Sequence, residues 1–82
     1  MEKVLSVKPF DDYTLVIRFD TGEIKKFDCK PFLNKGKFQQ LKDINLFRQV
    51  YVDYDTVVWP NNLDISPDTL YDLSCEFNDF KN

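Results

Sequence analysis

Tyr13-Thr14-Leu15-Val16-Ile17-Arg18-Phe19-Asp20-Thr21-Gly22-Glu23-Ile24-Lys25-Lys26-Phe27-Asp28-Cys29 decides the fold. Tyr13, Leu15, Ile17 and Phe19 fall two apart and share one face of a strand, with Thr14, Val16 and Arg18 on the other. Asp20-Thr21-Gly22-Glu23 then reads as a tight turn, because Gly22 accepts a positive φ without steric cost. Ile24 to Cys29 returns as the partner strand. Asp20-Thr21-Gly22 also spells the tripeptide of aspartic proteases, whose two loops share a proton between carboxylates. Its place between two alternating strands, with Glu23 directly after it, reads as a hairpin turn instead.

Upstream, Val4 to Lys8 predicts a first strand, ended by the turn signal Pro9-Phe10-Asp11-Asp12. Downstream, Lys30-Pro31 closes the hairpin, since proline cannot donate to a ladder. Phe32-Leu33 suits a single turn, and the spacing of Phe38 and Leu41 suits another. Asp43 is placed to cap a short helix holding Ile44 and Phe47. Val50 to Tyr54 and Thr56 to Trp59 predict two more strands about Asp55, and Pro60-Asn61-Asn62 predicts a turn. Ser66-Pro67-Asp68 is a helix start: Ser66 as N-cap, Pro67 at the first helical position, Asp68 at the positive end of the helix dipole.

The last helix is expected to run on to the C-terminus. Leu70, Leu73, Phe77 and Phe80 would form one apolar stripe along it. Asp68, Asp72, Glu76 and Asp79 would form an acidic one, and carboxylates four apart repel each other. A basic partner would relieve that repulsion. The expected fold is therefore α+β over residues 1–82 as a single domain: a small, hairpin-rich antiparallel sheet of four to five strands with two or three short helices.

The chain has 82 residues, 43% of them hydrophobic and 16% aromatic, which is dense enough for a core at this size. It has no His, which removes the commonest general base near neutral pH and the commonest metal ligand. Cys29 and Cys75 have no CxxC spacing and read as buried or half-buried apolar residues. Asp53, Asp55, Asp64 and Asp68 show no calcium-loop spacing, and no Gly-rich phosphate loop is present. These features predict a non-catalytic chain with no cofactor, metal or small-molecule ligand. No apolar run is long enough for a membrane helix, and a cytoplasmic location is expected.

The net charge of −3 argues against nucleic acid and toward a basic protein partner. The leading expectation is a protein-interaction module, homodimeric or bound to a basic protein. Its contacts would be Trp59, Asp68, Asp72, Glu76, Phe77, Asp79 and Phe80. The alternative is a DNA-binding regulatory protein using the basic cluster Lys25, Lys26, Lys30, Lys35 and Lys37.

From Trp59 to Tyr71 the chain reads Trp-Pro-Asn-Asn-Leu-Asp-Ile-Ser-Pro-Asp-Thr-Leu-Tyr. This resembles a bacterial family, domain of unknown function 2442, whose pattern there is Trp-Pro-x-x-x-Asp-(Ile/Leu)-(Ser/Ala)-Pro-Asp-x-Leu-Tyr. The family's upstream hairpin matches at Tyr13, Leu15, Ile17, Phe19, Gly22 and Glu23, and Asp28, Pro31, Phe38, Leu41, Asp43, Phe47 and Val50 fall in register. The resemblance implies a small α+β fold and no assigned activity. It also implies association: members are often encoded beside another small family, as a toxin–antitoxin-like pair would be.

Overall fold

The structure, a computed structural model, describes residues 2–77. The fold is α+β, as the hairpin pattern predicts. Among the described residues, seven short antiparallel strands form two sheets, joined by two α-helices and two 3-10 turns.

The first sheet carries β1 (Val4–Phe10), β2 (Thr14–Phe19), β3 (Ile24–Asp28) and β7 (Cys75–Glu76), in the order β1-β2-β3-β7. The predicted face of β2 is the inner one: Leu15, Ile17 and Phe19 are fully buried, and Tyr13 packs half-buried beside them. Burying one such side chain contributes on the order of 2 kcal/mol. The Asp20–Glu23 segment is the expected turn. The Phe19 amide donates to the Glu23 carbonyl (2.9 Å), the Gly22 amide donates to the Phe19 carbonyl (3.0 Å), and Gly22 has φ +93°. β1 is an edge strand, which is where a proline such as Pro9 is tolerated. Its register with β2 shifts between Val4 and Ser6, leaving Leu5 as a bulge.

The second sheet carries β4 (Tyr51–Asp53), β5 (Thr56–Trp59) and β6 (Leu63–Ile65). The two-residue turn Tyr54-Asp55 has φ +52° and +64°, the mirror-image geometry that matches strand twist. The Asp55 carbonyl uses that geometry to accept from the Val4 amide (2.9 Å), which ties the two sheets together. Asn61 and Asn62 repeat the left-handed pair at the β5–β6 turn, as the paired asparagines predict. All four β5 residues are buried, and the Thr56 hydroxyl donates to the Ile65 carbonyl.

Between the sheets, 3-10 turns at Lys30–Phe32 and Gly36–Lys42 lead into α1 (Ile44–Phe47). The Asp43 carboxylate accepts from the Asn45 amide (3.0 Å), the expected cap. Phe47, Leu41 and Trp59 meet in the core with Leu70 of α2 (Pro67–Leu73). At α2 the Ser66 hydroxyl accepts from the Thr69 amide (3.3 Å) and Pro67 opens the first turn.

The last helix is shorter than expected. It ends at Leu73, and Ser74 is extended (φ −86°, ψ 160°). Cys75 and Glu76 then pair with Lys26 and Lys25 of β3. Filling that sheet edge satisfies strand hydrogen bonds that a continued helix would leave to water. It also ends the run of carboxylates spaced at four that a continued helix would align. β6 and β7 were not foreseen, because three and two residues are too few to show a period.

Candidate interaction face

Strand register sets out the solvent face of the first sheet in rows. Phe10, Thr14 and Asp28 form one row; Lys8, Val16, Lys26 and Cys75 form the next; Ser6, Arg18 and Ile24 form the third. Two adjoining depressions cross this face, of about 450 and 410 Å³, and they share Asp12, Thr14 and Lys26. Phe10, Val16 and Phe77 line the first, and Leu73 and Cys75 border the second. Phe10, Ile24, Leu73 and Phe77 are 40–60% exposed, so most of the large exposed apolar side chains lie on or beside this face.

The rim is built at the β1–β2 turn. Tyr13 holds φ +65°, an uncommon conformation for a bulky residue. Several contacts fix it. The Tyr13 amide donates to the Phe10 carbonyl (3.1 Å), its ring meets Phe47 edge-on (5.2 Å), and its hydroxyl donates to the Lys42 carbonyl (2.5 Å). The turn thereby presents Asp11 and Asp12 outward. The Thr14 hydroxyl donates to Asp12 Oδ1 (2.6 Å), and this bond holds the Asp12 carboxyl below its ordinary range, with Lys26 and Lys30 adding to it. Lys30 Nζ bridges Asp28 (3.0 Å) and donates to the Asp12 carbonyl (3.1 Å). Arg48 pairs with Asp11 across 2.9 Å. Asp11, Asp12, Asp28 and Glu76 therefore border the groove together with Lys26 and Lys30, while Arg48 pairs with Asp11 and Lys8 and Arg18 lie on the same face.

Behind the face, Lys25 points the other way. It lies on the inner side of β3, opposite Ile17, and is 8% exposed. Its Nζ donates to the Tyr71 carbonyl (2.8 Å) and sits 3.8 Å from the centre of the Tyr71 ring. The Tyr71 hydroxyl donates to Glu23 Oε1 (2.5 Å). That bond holds the Glu23 carboxyl below its ordinary range and, with burial and the negative charge of Glu23, pushes the Tyr71 phenol up to about 12.

Several expected contact residues are placed differently. Trp59 is fully buried and its Nε1 donates to the Phe47 carbonyl (3.0 Å), so it anchors the core and cannot anchor a partner. Asp68 and Asp72 are exposed on α2, whereas Glu76 lies on β7 and borders the groove. The acidic stripe is therefore divided between a helix and a strand. The apolar stripe is divided too: Leu70 is buried, Leu73 is 60% exposed, and Phe77 lines the groove. Asp79 and Phe80 lie outside the described residues.

The basic cluster is also broken up. Lys25 is buried, and Lys26 and Lys30 line the groove among carboxylates. Lys35 and Lys37 border a separate depression with Phe38 and Asp64. Sequence reading missed Phe10 and Val16 as site residues. The signal was present in the outward set Thr14, Val16 and Arg18, where an apolar residue stands on a face expected to be polar.

Cys29 is buried, and loss of hydration pushes its thiol up to about 12, while Cys75 is exposed. Among the described residues no three metal-ligating side chains converge, and no helix is long and apolar enough to cross a membrane.

The family model "Protein of unknown function (DUF2442)" matches residues 4–75. The chain belongs to this family. The match takes in both helices and all strands up to the start of β7, so it includes the groove's lining except Glu76 and Phe77. A comparison with curated proteins gives no match. Among solved structures the chain is similar to the crystal structure of a "Putative DNA Binding Protein" from Nitrosomonas europaea, with a TM-score of 0.78 and 22% identity. The alignment covers 90% of this chain and 49% of that one, so this DUF2442 chain spans about half the length of that protein. At this identity the likeness shows a shared fold.

Proposed function

We propose that this DUF2442 chain is a non-catalytic protein-interaction module that takes a basic, partly apolar segment of a protein partner into the groove of its first sheet. The observation that carries this reading is the gathering of Phe10, Ile24, Leu73 and Phe77 on and beside one face. Apolar patches rimmed by polar groups mark interaction sites. Asp12 and Glu76, which border the groove, are the carboxylates that would meet a cationic segment.

The test is capture of the native partner by the tagged chain, compared with that by Val16→Glu and by the pair Asp12→Lys, Glu76→Lys. Capture should be lost in both and retained in Asp68→Lys, Asp72→Lys, whose changes lie on α2. Loss only in the α2 variant would overturn the assignment to the groove. Light scattering of the purified chain identifies the other occupant, a second copy.

A second reading follows from the structural neighbour, which is named for DNA binding. It would use what the fold leaves of the Lys25–Lys37 cluster, Lys26, Lys30, Lys35 and Lys37. Burial of Lys25 and the pairing of Lys30 with Asp28 reduce the positive field available to it. About half of that neighbour lies outside the match, so the property it is named for need not belong to the shared unit. Absence of a DNA shift at low salt removes this reading.

A further inference from the structure

The turns between strands are not all built from the residues that favour them. Gly22 takes positive φ in the β2–β3 hairpin, and Asn61-Asn62 form the left-handed pair between β5 and β6. The β4–β5 turn has the same pair of conformations but fills it with Tyr54 (φ +52°) and Asp55 (φ +64°). Asparagine or glycine is the usual first residue of such a turn, and a bulky side chain there is strained. No contact within the fold offsets that strain. Tyr54 is 83% exposed, and its side chain has no hydrogen-bond, ring or cation partner among the described residues. A side chain held in a costly conformation and left in solvent points to a use outside the fold.

The surroundings define what would meet it. Asp53 and Asp55 flank Tyr54, and neither has an ion pair among the described residues. Asp53 Oδ1 accepts from the Tyr54 amide at 2.9 Å. From Gln49 to Phe77 the sequence has six carboxylates and no lysine or arginine. Cations from elsewhere reach one side of this region, where Asp64 borders a depression with Lys35 and Lys37. Lys3 is carried toward the turn by the bond from the Val4 amide to the Asp55 carbonyl, but its ammonium pairs with neither aspartate. Tyr51 lies on the same side of β4 as Asp53 and is 46% exposed. It faces Val58, which is buried yet outside the core.

We propose that Tyr51, Asp53, Tyr54 and Asp55 form a second docking surface, and that its occupant is an arginine-bearing segment of a protein partner. A guanidinium lies flat on a tyrosine ring while its edges bond carboxylates, which a compact ammonium does not do. Two copies joined through this same surface would set aspartate against aspartate, so the charge favours a cationic partner over self-pairing. The surface is separate from the groove. Val4 opens β1 beside the turn and Phe10 closes it at the groove, a span of ~20 Å along the strand. The proposal does not rest on the groove being an interaction site.

Hexa-arginine with blocked ends is the probe, titrated into the isotope-labelled full chain and followed by amide chemical shifts. Shifts should centre on Tyr51 and residues 53–56, ahead of any at Thr14, Val16 or Lys26 of the groove. Hexa-lysine should bind at least ~3-fold more weakly. Tyr54→Asn should weaken hexa-arginine binding at least ~3-fold, yet hold or raise the melting temperature, since asparagine suits the conformation better. Asp53→Asn and Asp55→Asn together should also weaken binding while the turn is kept, because asparagine tolerates both positions. Shifts centred on the groove or on α2, unchanged binding by either variant, or equal binding of the lysine peptide overturns the proposal. A lower melting temperature for Tyr54→Asn overturns it as well, by showing that the tyrosine serves the fold. Shifts at the same amides on concentrating the protein without peptide would assign the surface to a second copy instead. Partner capture by Val16→Glu is a separate result, because that substitution lies on the first sheet.

Discussion

The ammonium group of Lys25 lies 3.8 Å from the centre of the Tyr71 ring and donates to the carbonyl of that same residue at 2.8 Å. A lysine on the core side of a central strand is costly unless its charge is partnered. Tyr71 provides both partners from α2, so the pair joins the helix to the sheet. Lys25→Ala should therefore destabilise the chain by about 2 kcal/mol, through a lost cation–π contact and a lost charge-assisted bond to the Tyr71 carbonyl, which then keeps only the Ser74 hydroxyl as donor. Lys25→Met should lose less, because it keeps the apolar stem. Urea unfolding of the three proteins checks this, and an Ala variant as stable as the parent would contradict it.

Glu23 and Tyr71 give the chain opposite pH limits. The folded state lowers the Glu23 carboxyl below 4.5, its ordinary value. Its contribution is present above that value and is lost as pH falls through the folded-state titration. The folded state raises the Tyr71 phenol from 10.0 to about 12. Between those values the unfolded chain gives up the proton that the folded chain keeps, so stability falls as pH rises. Tyr71→Phe should flatten both limbs of a melting-temperature profile against pH. A variant profile with the parent's slopes at both ends would show that the hydroxyl bond to Glu23 is not responsible.

Trp59 is the largest fully buried side chain. Trp59→Ala should cost about 3–5 kcal/mol through the cavity it leaves. Trp59→Phe should cost less but still lose the bond from Nε1 to the Phe47 carbonyl. Differential calorimetry should rank parent, Phe and Ala in that order of stability.

Gly22 offers a test of backbone strain alone. A Cβ added there meets nothing within 4 Å, yet the residue holds φ +93°. Gly22→Ala should therefore cost about 1 kcal/mol or somewhat more from conformation, without repacking. Gly22→Asn should cost less, since asparagine tolerates positive φ. Equal stability of all three would contradict the assignment of the cost to φ.

Much of this was readable from residues alone. The β2–β3 hairpin, the Asp43 cap, the Asn61-Asn62 turn and the Ser66-Pro67 helix start each rest on local chemistry, and each is in place. The end of α2 was not readable, because a helical period continues past Leu73 in the side chains. What ends the helix is an unfilled edge on β3, distant in sequence. The site suffered for the same reason. Trp59 looked available beside a proline until α1 was seen to cover it, and Lys25 looked like part of a surface cluster until the β3 register turned it inward. Phe10 and Val16 become neighbours of Phe77 only once β7 docks.

The bulge at Leu5 and the proline at position 9 have a consequence for how copies of this chain behave when crowded. β1 is the longest strand and forms one border of its sheet, the place where identical chains could zip together into fibres. Leu5 interrupts the even spacing of that border, Pro9 removes one of its donors, and the Val4 amide is already engaged by Asp55. A concentrated solution should therefore resist edge-to-edge aggregation along β1, although the neighbouring sheet face exposes phenylalanine and isoleucine.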